Sequence, residues 1–373
     1  MTLANDTGDM QSALTFVARR RQRRTTTGKT MTPYDILKSP LWLAEIATQA
    51  KSFAANPILG SSRLNERGLH LARVKIAARM AEARRKRLAR RVDAADRAAY
   101  ERDGYLVKEN FLPVETFRRL RGEVFGRSFP AREMRQGRTV TRMVPLPVSL
   151  LAVMPATREV VESPFLRAAM HYMSSRSGEP TFFIQTVLAE AQGRKPDPQT
   201  DLHADTFHST VKCWLFLEDV GPDDGPFRFV PGSHRLTEER LGWEYEQSLH
   251  ACETGGHTAL GSFRVKPEEL GALGYGDPIA VTVPANTLVI ADTFAFHGRT
   301  PSPRPTVRVE INGNLRRNPF LPWTGLDPVA LPGIRHNQMN LNMAWADFRE
   351  RRWGKKNVWR DVGETAVDGP VMV

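Results

Sequence analysis

The chain has 373 residues, 41% of them hydrophobic, and carries 53 Lys and Arg against 41 Asp and Glu, a formal net charge of +12. That is enough apolar material for one large domain or two smaller ones. Two cysteines, Cys213 and Cys252, are too few for a disulfide framework, and no run approaches the roughly 18–20 apolar residues that span a bilayer. An intracellular, cytoplasmic setting is expected.

The charge is uneven. Residues 1–100 hold 20 Lys and Arg but only 8 Asp and Glu, so the first hundred residues carry the whole excess and the remainder is balanced. A basic appendage on a neutral domain has either solvated helix faces or an anionic partner: a lipid surface at the inner face of a membrane, an anionic carrier group, or nucleic acid. Nucleic acid is the weakest of these, because residues 101–373 have neither net positive charge nor an aromatic and basic groove.

Residues 1–32 are polar and Thr-rich, with arginines at 19–21, 23 and 24 followed by TTTGKT instead of an apolar core. They read as a disordered basic tail, not a secretory signal, and Met31 is an alternative start. Residues 33–97 read as a basic helical extension and residues 98–373 as the main domain. Ser39-Pro40 is a helix-start pair, and Trp42, Ile46, Ala50 and Phe53 form one apolar stripe up to Pro57 and Gly60. The stripe docks on the protein or on a membrane surface. Arg63 to Arg91 predicts a longer helix, weakened near its start by Gly68. Leu71, Val74, Ala78 and Ala81 line one side of it, and Leu69, Ile76, Met80 and Ala83 the other.

From Tyr100 the pattern changes. A short strand (105–107), a helix (113–126), an irregular segment rich in Arg, Met and Pro (127–157), a helix (159–173) and a strand (182–190) follow in turn. Then comes His203-Ala204-Asp205. In extended backbone, residues i and i+2 project to the same side, so this imidazole and carboxylate can reach one point. A cap by Asp205 and a packed His203 are the alternative. A strand-like run (211–217), an acidic turn ending in Gly225, a short strand (227–230) and the Pro231-Gly232 turn lead to His234. Residues 235–280 show few strand signals and read as a lid. Two short strands between Val281 and Ile290 lead to His297, the best candidate for a third ligand. His208, His234 and His171 compete with it, His234 being the first substitute. Two histidines and one carboxylate on one face of an ion is the arrangement of non-haem Fe(II) oxygenases. The run from Thr306 to Ile311 carries Arg308, eleven residues beyond His297. Four tryptophans in the C-terminal tail, at 323, 345, 353 and 359, predict that it packs on the domain. Strand after short strand, with helices gathered early, predicts two apposed β-sheets with a helical layer.

Between Tyr100 and Arg317, the ordered set His203-x-Asp205, G225-P-F-R-F-V-P-G-S-H234, His297 and Arg308 resembles the phytanoyl-CoA dioxygenase family of Fe(II)/2-oxoglutarate oxygenases. The entry segment from Tyr100 to Val124 is also similar to that family's first strand and helix. The resemblance implies a double-stranded β-helix, jelly-roll-like core. It implies Fe(II) held by His203, Asp205 and His297, with 2-oxoglutarate and O2 as co-substrates and succinate and CO2 as products. Arg308 would pair with the far carboxylate of 2-oxoglutarate, and Trp214, Thr300 and Gln185 are candidate cofactor contacts. Core hydrogen bonding is the alternative for Gln185. Arg299 stands where some relatives have Ser. Halogenating relatives lack the carboxylate that Asp205 supplies, so hydroxylation of a C–H bond in a small or lipid-like molecule is the expected reaction. A binding or scaffold protein that keeps the fold without turnover is the alternative.

Overall fold

Alternation along the strand runs decides which side chains face inward, and in the computed structural model it builds two antiparallel sheets. The structure describes residues 33–190, 195 and 197–373; the basic tail expected over 1–32, with its arginine cluster and Met31, lies outside the described residues. The strands are β1 (Tyr105–Lys108), β2 (Ser128–Gln136), β3 (Thr139–Pro145), β4 (Thr181–Ala189), β5 (Val211–Phe216), β6 (Phe227–Phe229), β7 (Ile279–Val281), β8 (Thr287–Asp292), β9 (His297–Arg299), β10 (Thr306–Leu315) and β11 (Arg360–Ala366). The larger sheet runs β1-β8-β5-β10-β4-β3-β2-β11, and the smaller runs β7-β6-β9.

On β5, Val211, Cys213 and Leu215 point outward into a core shared with helices, while Trp214 and Phe216 point inward. There they meet Phe227, Phe229 and Val281 of the smaller sheet. This sandwich of two sheets, with helices packed on the outer face of the larger one, is a jelly-roll-like core.

The helices are α1 (Pro33–Glu45), α2 (Ser62–Glu66), α3 (Leu69–Leu88), α4 (Ala94–Asp103), α5 (Val114–Phe125), α6 (Val148–Ala152), α7 (Pro155–Val161), α8 (Pro164–Met173), α9 (Glu238–Thr254), α10 (Gly256–Ala259) and α11 (Gln338–Trp353). Leu120 and Val124 of α5 and Leu166, Ala169, Met170 and Met173 of α8 cover the outer face of the larger sheet. The chain divides into two compact units, Met1–Leu41 and Trp42–Val373. From Trp42 onward, therefore, the basic segment belongs to the same unit as the sheets. Gly68 breaks α2 from α3 by adopting φ +86°, a left-handed conformation that glycine enters without steric cost.

Several expectations need correction. The first helix begins at Pro33 and stops at Glu45, with Pro40 inside it. The chain then runs in turns to Gly60, so the stripe from Trp42 to Phe53 is not one helical face. Phe53 instead stacks on Phe263, ring centroids 5.5 Å apart. The segment 127–157 is not irregular: it holds β2, β3 and two short helices, and its strand character was masked by Arg and Pro within the runs. Residues 235–280 are no loose lid, because α9 buries Arg240, Leu241, Trp243 and Glu244. In the tail, β11 pairs with β2, yet Trp345 and Trp353 of α11 each remain 53% exposed. Helix α3 buries a single stripe: His70, Arg73, Val74, Ala77, Ala81, Arg84 and Leu88. Ile76, on the second expected line, is exposed.

The basic residues on that stripe are not solvated. Arg84 donates to the carbonyls of Ser175 (3.0 Å), Pro319 (2.9 Å) and Leu321 (2.8 Å). Arg73 donates to those of Ile46 (2.9 Å), Thr48 (3.0 Å) and Ala50 (2.7 Å), and its guanidinium lies 4.2 Å from the Phe207 ring centre. A planar fork of donors suits carbonyls that have no secondary-structure partner.

Candidate metal centre

His203 and His297 face each other as an antiparallel bridge pair. The His203 amide donates to the His297 carbonyl (2.9 Å) and the His297 amide to the His203 carbonyl (3.0 Å). Residues paired in this way project to the same side, so the imidazole centroids lie 4.6 Å apart. The Asp205 amide donates to the Thr293 carbonyl (2.9 Å), which holds the chain extended and brings the carboxylate to the same side as His203. Asp205 Oδ1 is then 3.7 Å from His203 Nε2 and 3.8 Å from His297 Nε2. One ligand atom from each of the three residues fits within 4.8 Å of the others, a spacing one cation can bridge.

The two rings are oriented for that task. Each Nδ1 lies against the carbonyl two residues back, His203 on Asp201 (2.8 Å) and His297 on Ala295 (2.9 Å). A carbonyl only accepts, so each Nδ1 carries the proton and each Nε2 offers its lone pair toward Asp205. Burial, then the neighbouring His297, pushes the His203 pKa well below its ordinary value; burial also lowers that of His297. Both imidazoles are neutral at neutral pH, as metal binding requires. Burial works to raise the Asp205 pKa, but the Lys212 ammonium beside it outweighs this and holds the carboxyl well below its usual range. Lys212 Nζ is 2.6 Å from Asp205 Oδ2, the oxygen turned away from the histidines. The donor set fits a divalent first-row metal such as Fe(II).

The remaining expected residues take different places. Trp214 faces inward, its ring 4.5 Å from that of Phe227, which in turn is 5.9 Å from His297. Arg308 is buried on the inner side of β10; its Nε donates to Glu310 (3.0 Å) and its Nη1 to the Gly225 carbonyl. Among the described residues, Nη2 makes no hydrogen bond. Gln185, opposite Glu310 in the β4–β10 register, donates its amide to that carboxylate. Thr300 sits beyond β9 with a buried hydroxyl that has no hydrogen-bond partner among the described residues, beside Arg299, which pairs with Asp197 (2.8 Å). The competing histidines stand apart from the triad. His208 and His234 both line a second cavity between α3 and α9, of about 680 Å³, and His171 lies against the Gly178 carbonyl (2.9 Å).

Sequence reasoning missed the other walls of the site. A cavity of about 220 Å³ opens beside Asp205, lined by Lys51, Thr210, Lys212, Thr293, Asn314 and Arg316 among others. Lys212 lies two residues before Trp214, and Asn314 and Arg316 continue the inward alternation of Arg308, Glu310 and Asn312; that period was the available signal. Lys51 had none, since it arrives from a turn.

Two apposed antiparallel sheets holding a two-histidine, one-carboxylate centre define an Fe(II)/2-oxoglutarate-dependent oxygenase. Residues 100–270 match the family model of phytanoyl-CoA dioxygenase (PhyH). No curated protein sequence matches it. Similar solved structures include the epimerase SnoN in complex with Fe3+, alpha ketoglutarate and nogalamycin RO, 20% identical over 65% of this chain and 97% of that one, with a TM-score of 0.40. HygX from Streptomyces hygroscopicus, with nickel and 2-oxoglutarate bound, is 14% identical over 60% of this chain and 86% of that one, TM-score 0.39. EctD from S. alaskensis with bound Fe is 17% identical over 60% and 76%, TM-score 0.36. Among the described residues, no helix is long and apolar enough to cross a membrane.

Proposed function

We propose that this oxygenase hydroxylates a C–H bond of a small or lipid-like molecule, with release of succinate and CO2. The observation that carries the reading is the complete ligand set, Asp205 included, with both Nε2 lone pairs aimed at its Oδ1. Fe(II), when bound, supplies the activation of O2 coupled to oxidative decarboxylation of 2-oxoglutarate. The chain's own residues bind and orient. His203, Asp205 and His297 hold the metal; the carbonyls of Asp201 and Ala295 fix the proton on each Nδ1 and so keep each Nε2 free. Arg308 offers its spare Nη2 to the far carboxylate of 2-oxoglutarate, and Trp214 with Phe227 forms an apolar wall that limits water near the centre. The carboxylate Asp205 occupies the position at which halogenation would need chloride, which favours hydroxylation. The basic segment before residue 100 would hold an anionic carrier group or lipid headgroup near the site.

The test is succinate formation from 2-oxoglutarate by the full-length protein loaded anaerobically with Fe(II). Turnover in wild type, lost in Asp205→Ala and reduced in Arg308→Ala, is expected. Absence of both Fe(II) binding and keto-acid consumption in wild type would leave a binding protein in its place.

A further inference from the structure

The cavity beside Asp205 has an unusual charge balance. Among the described residues, Lys51, Lys212 and Arg316 line it, and Asp205 is the only carboxylate that does. Three cations against one anion in a partly buried space is unfavourable by itself, since like charges repel more strongly where water is scarce. A metal on Asp205 deepens the excess, because the one carboxylate is then occupied. Two of the cations are also held in place. Lys51 Nζ donates to the Asp205 carbonyl, and Arg316 Nη2 donates to the Gln49 carbonyl (2.9 Å). Arg316 Nε is buried with no partner among the described residues. An orphaned guanidinium N–H in a cavity wall costs free energy unless an acceptor fills the space.

The wall that brings Lys51 in is built, not incidental. Arg73 holds three successive carbonyls of the 46–50 segment, and Asn318 Nδ2 donates to the Ala47 carbonyl (3.0 Å). These bonds lay the segment along the end of β10, where Arg316 emerges.

We propose that this cavity is an anion subsite: Arg316 and Lys51, with Lys212 behind Asp205, bind the carboxylate or phosphate of the molecule being oxidised and so place its C–H bonds beside the metal. The proposal rests on the oxygenase reading for its link to turnover, and on the cavity alone for its anion binding. It separates two anion sites in one chain, the co-substrate on Arg308 and the substrate on Arg316 and Lys51. At about 220 Å³ the cavity admits the acidic end of a substrate and not a bulky carrier in full.

The experiment titrates full-length protein, loaded with Co(II) and 2-oxoglutarate, with inorganic phosphate and with butyrate, followed by calorimetry; butanamide is the uncharged control. Saturable binding of the anions and none of butanamide is expected. Arg316→Met and Lys51→Met should each weaken anion binding by about tenfold or more, the scale of one lost charge-assisted hydrogen bond, with affinity for 2-oxoglutarate within about twofold of wild type. Should Arg316→Met fail to fold, Lys51→Gln carries the same expectation, and Arg316→Lys, which keeps the charge, should retain most of the binding. Equal anion binding in wild type and variants, or none in wild type, overturns the proposal. So does a parallel loss of 2-oxoglutarate affinity, since the cations would then serve the co-substrate. Succinate formation measured on the same wild-type sample keeps the two readings apart. Anion binding without turnover removes the oxygenase and leaves the subsite; turnover without anion binding does the reverse.

Discussion

Arg308 has two duties in this structure, and they can be separated by mutation. Its Nε is 3.0 Å from Glu310 Oε2, and the Glu310 side chain is fully buried with Gln185 as its one other hydrogen-bond partner among the described residues. Replacing Arg308 by Met therefore strips a buried carboxylate of its counter-charge, which costs about 3–5 kcal/mol of stability. The same change removes the guanidinium proposed to hold 2-oxoglutarate, worth about 1.5–3 kcal/mol per charge-assisted hydrogen bond, or roughly ten- to a hundredfold or more in affinity. The double variant Arg308→Met/Glu310→Gln removes the stranded charge and leaves an amide beside the Gln185 amide. It should regain most of the lost stability and none of the lost affinity. Urea denaturation gives the first quantity, and calorimetric titration of 2-oxoglutarate into the Co(II)-loaded protein the second. Recovery of affinity in the double variant would show that Arg308 does not hold the co-substrate. An unchanged urea midpoint in the single variant would refute the buried pair.

Stability should fall on acidification below about pH 6.5. Burial lowers the pKa of His208 and His234 to about 3, while an unfolded imidazole titrates near ~6.5, so the unfolded chain takes up protons that the folded one refuses. Each contributes a slope of about 1.4 kcal/mol per pH unit between those limits, and His208→Gln should flatten the urea-derived slope between pH 6.5 and 5 by one proton. Arg73→Met should release the 46–50 segment and expose Lys51 to trypsin, read as a cleavage product that wild type resists. Gly313→Ala on β10 would place a Cβ 2.5 Å from Phe182 Cε1 and 2.7 Å from Cys213 Sγ, an overpacking worth about 1–3 kcal/mol that a lowered melting temperature would show.

What could be read from the sequence followed short-range rules. The pair His203 and Asp205 needs only an extended backbone, and the strands β4, β5, β6 and β10 carry enough β-branched and aromatic residues to stand out. His297 needed the ordered motifs around it, since its bridge to His203 spans more than ninety residues. The strands β2 and β3 were hidden because Arg132, Arg135 and Arg142 interrupt the apolar run. Arg142 is nonetheless fully buried, paired with Glu133 at 2.6 Å, so a charge that reads as a loop signal is core here. The same inversion applies to α3, where Arg73 and Arg84 point in. Arginine on a basic helix gives no hint in sequence whether its fork faces water or orphaned carbonyls; that depends on loops that arrive from elsewhere.

This bears on where selectivity resides. The family match begins at residue 100 and ends at 270, whereas Lys51, Arg308 and Arg316 all lie outside it. Inside the match are His203 and Asp205, the part of the centre that oxygen chemistry requires whatever the substrate. Outside it are His297, which completes the centre, and two of the cavity's cations, Lys51 and Arg316, while the third, Lys212, lies inside it. A segment that composition alone marks as a basic appendage thus closes one wall of the site through Arg73 and delivers Lys51 to it. Its charge is spent on the cavity and on buried carbonyls as well as on solvent, so the excess of positive residues before position 100 is in part a property of the site.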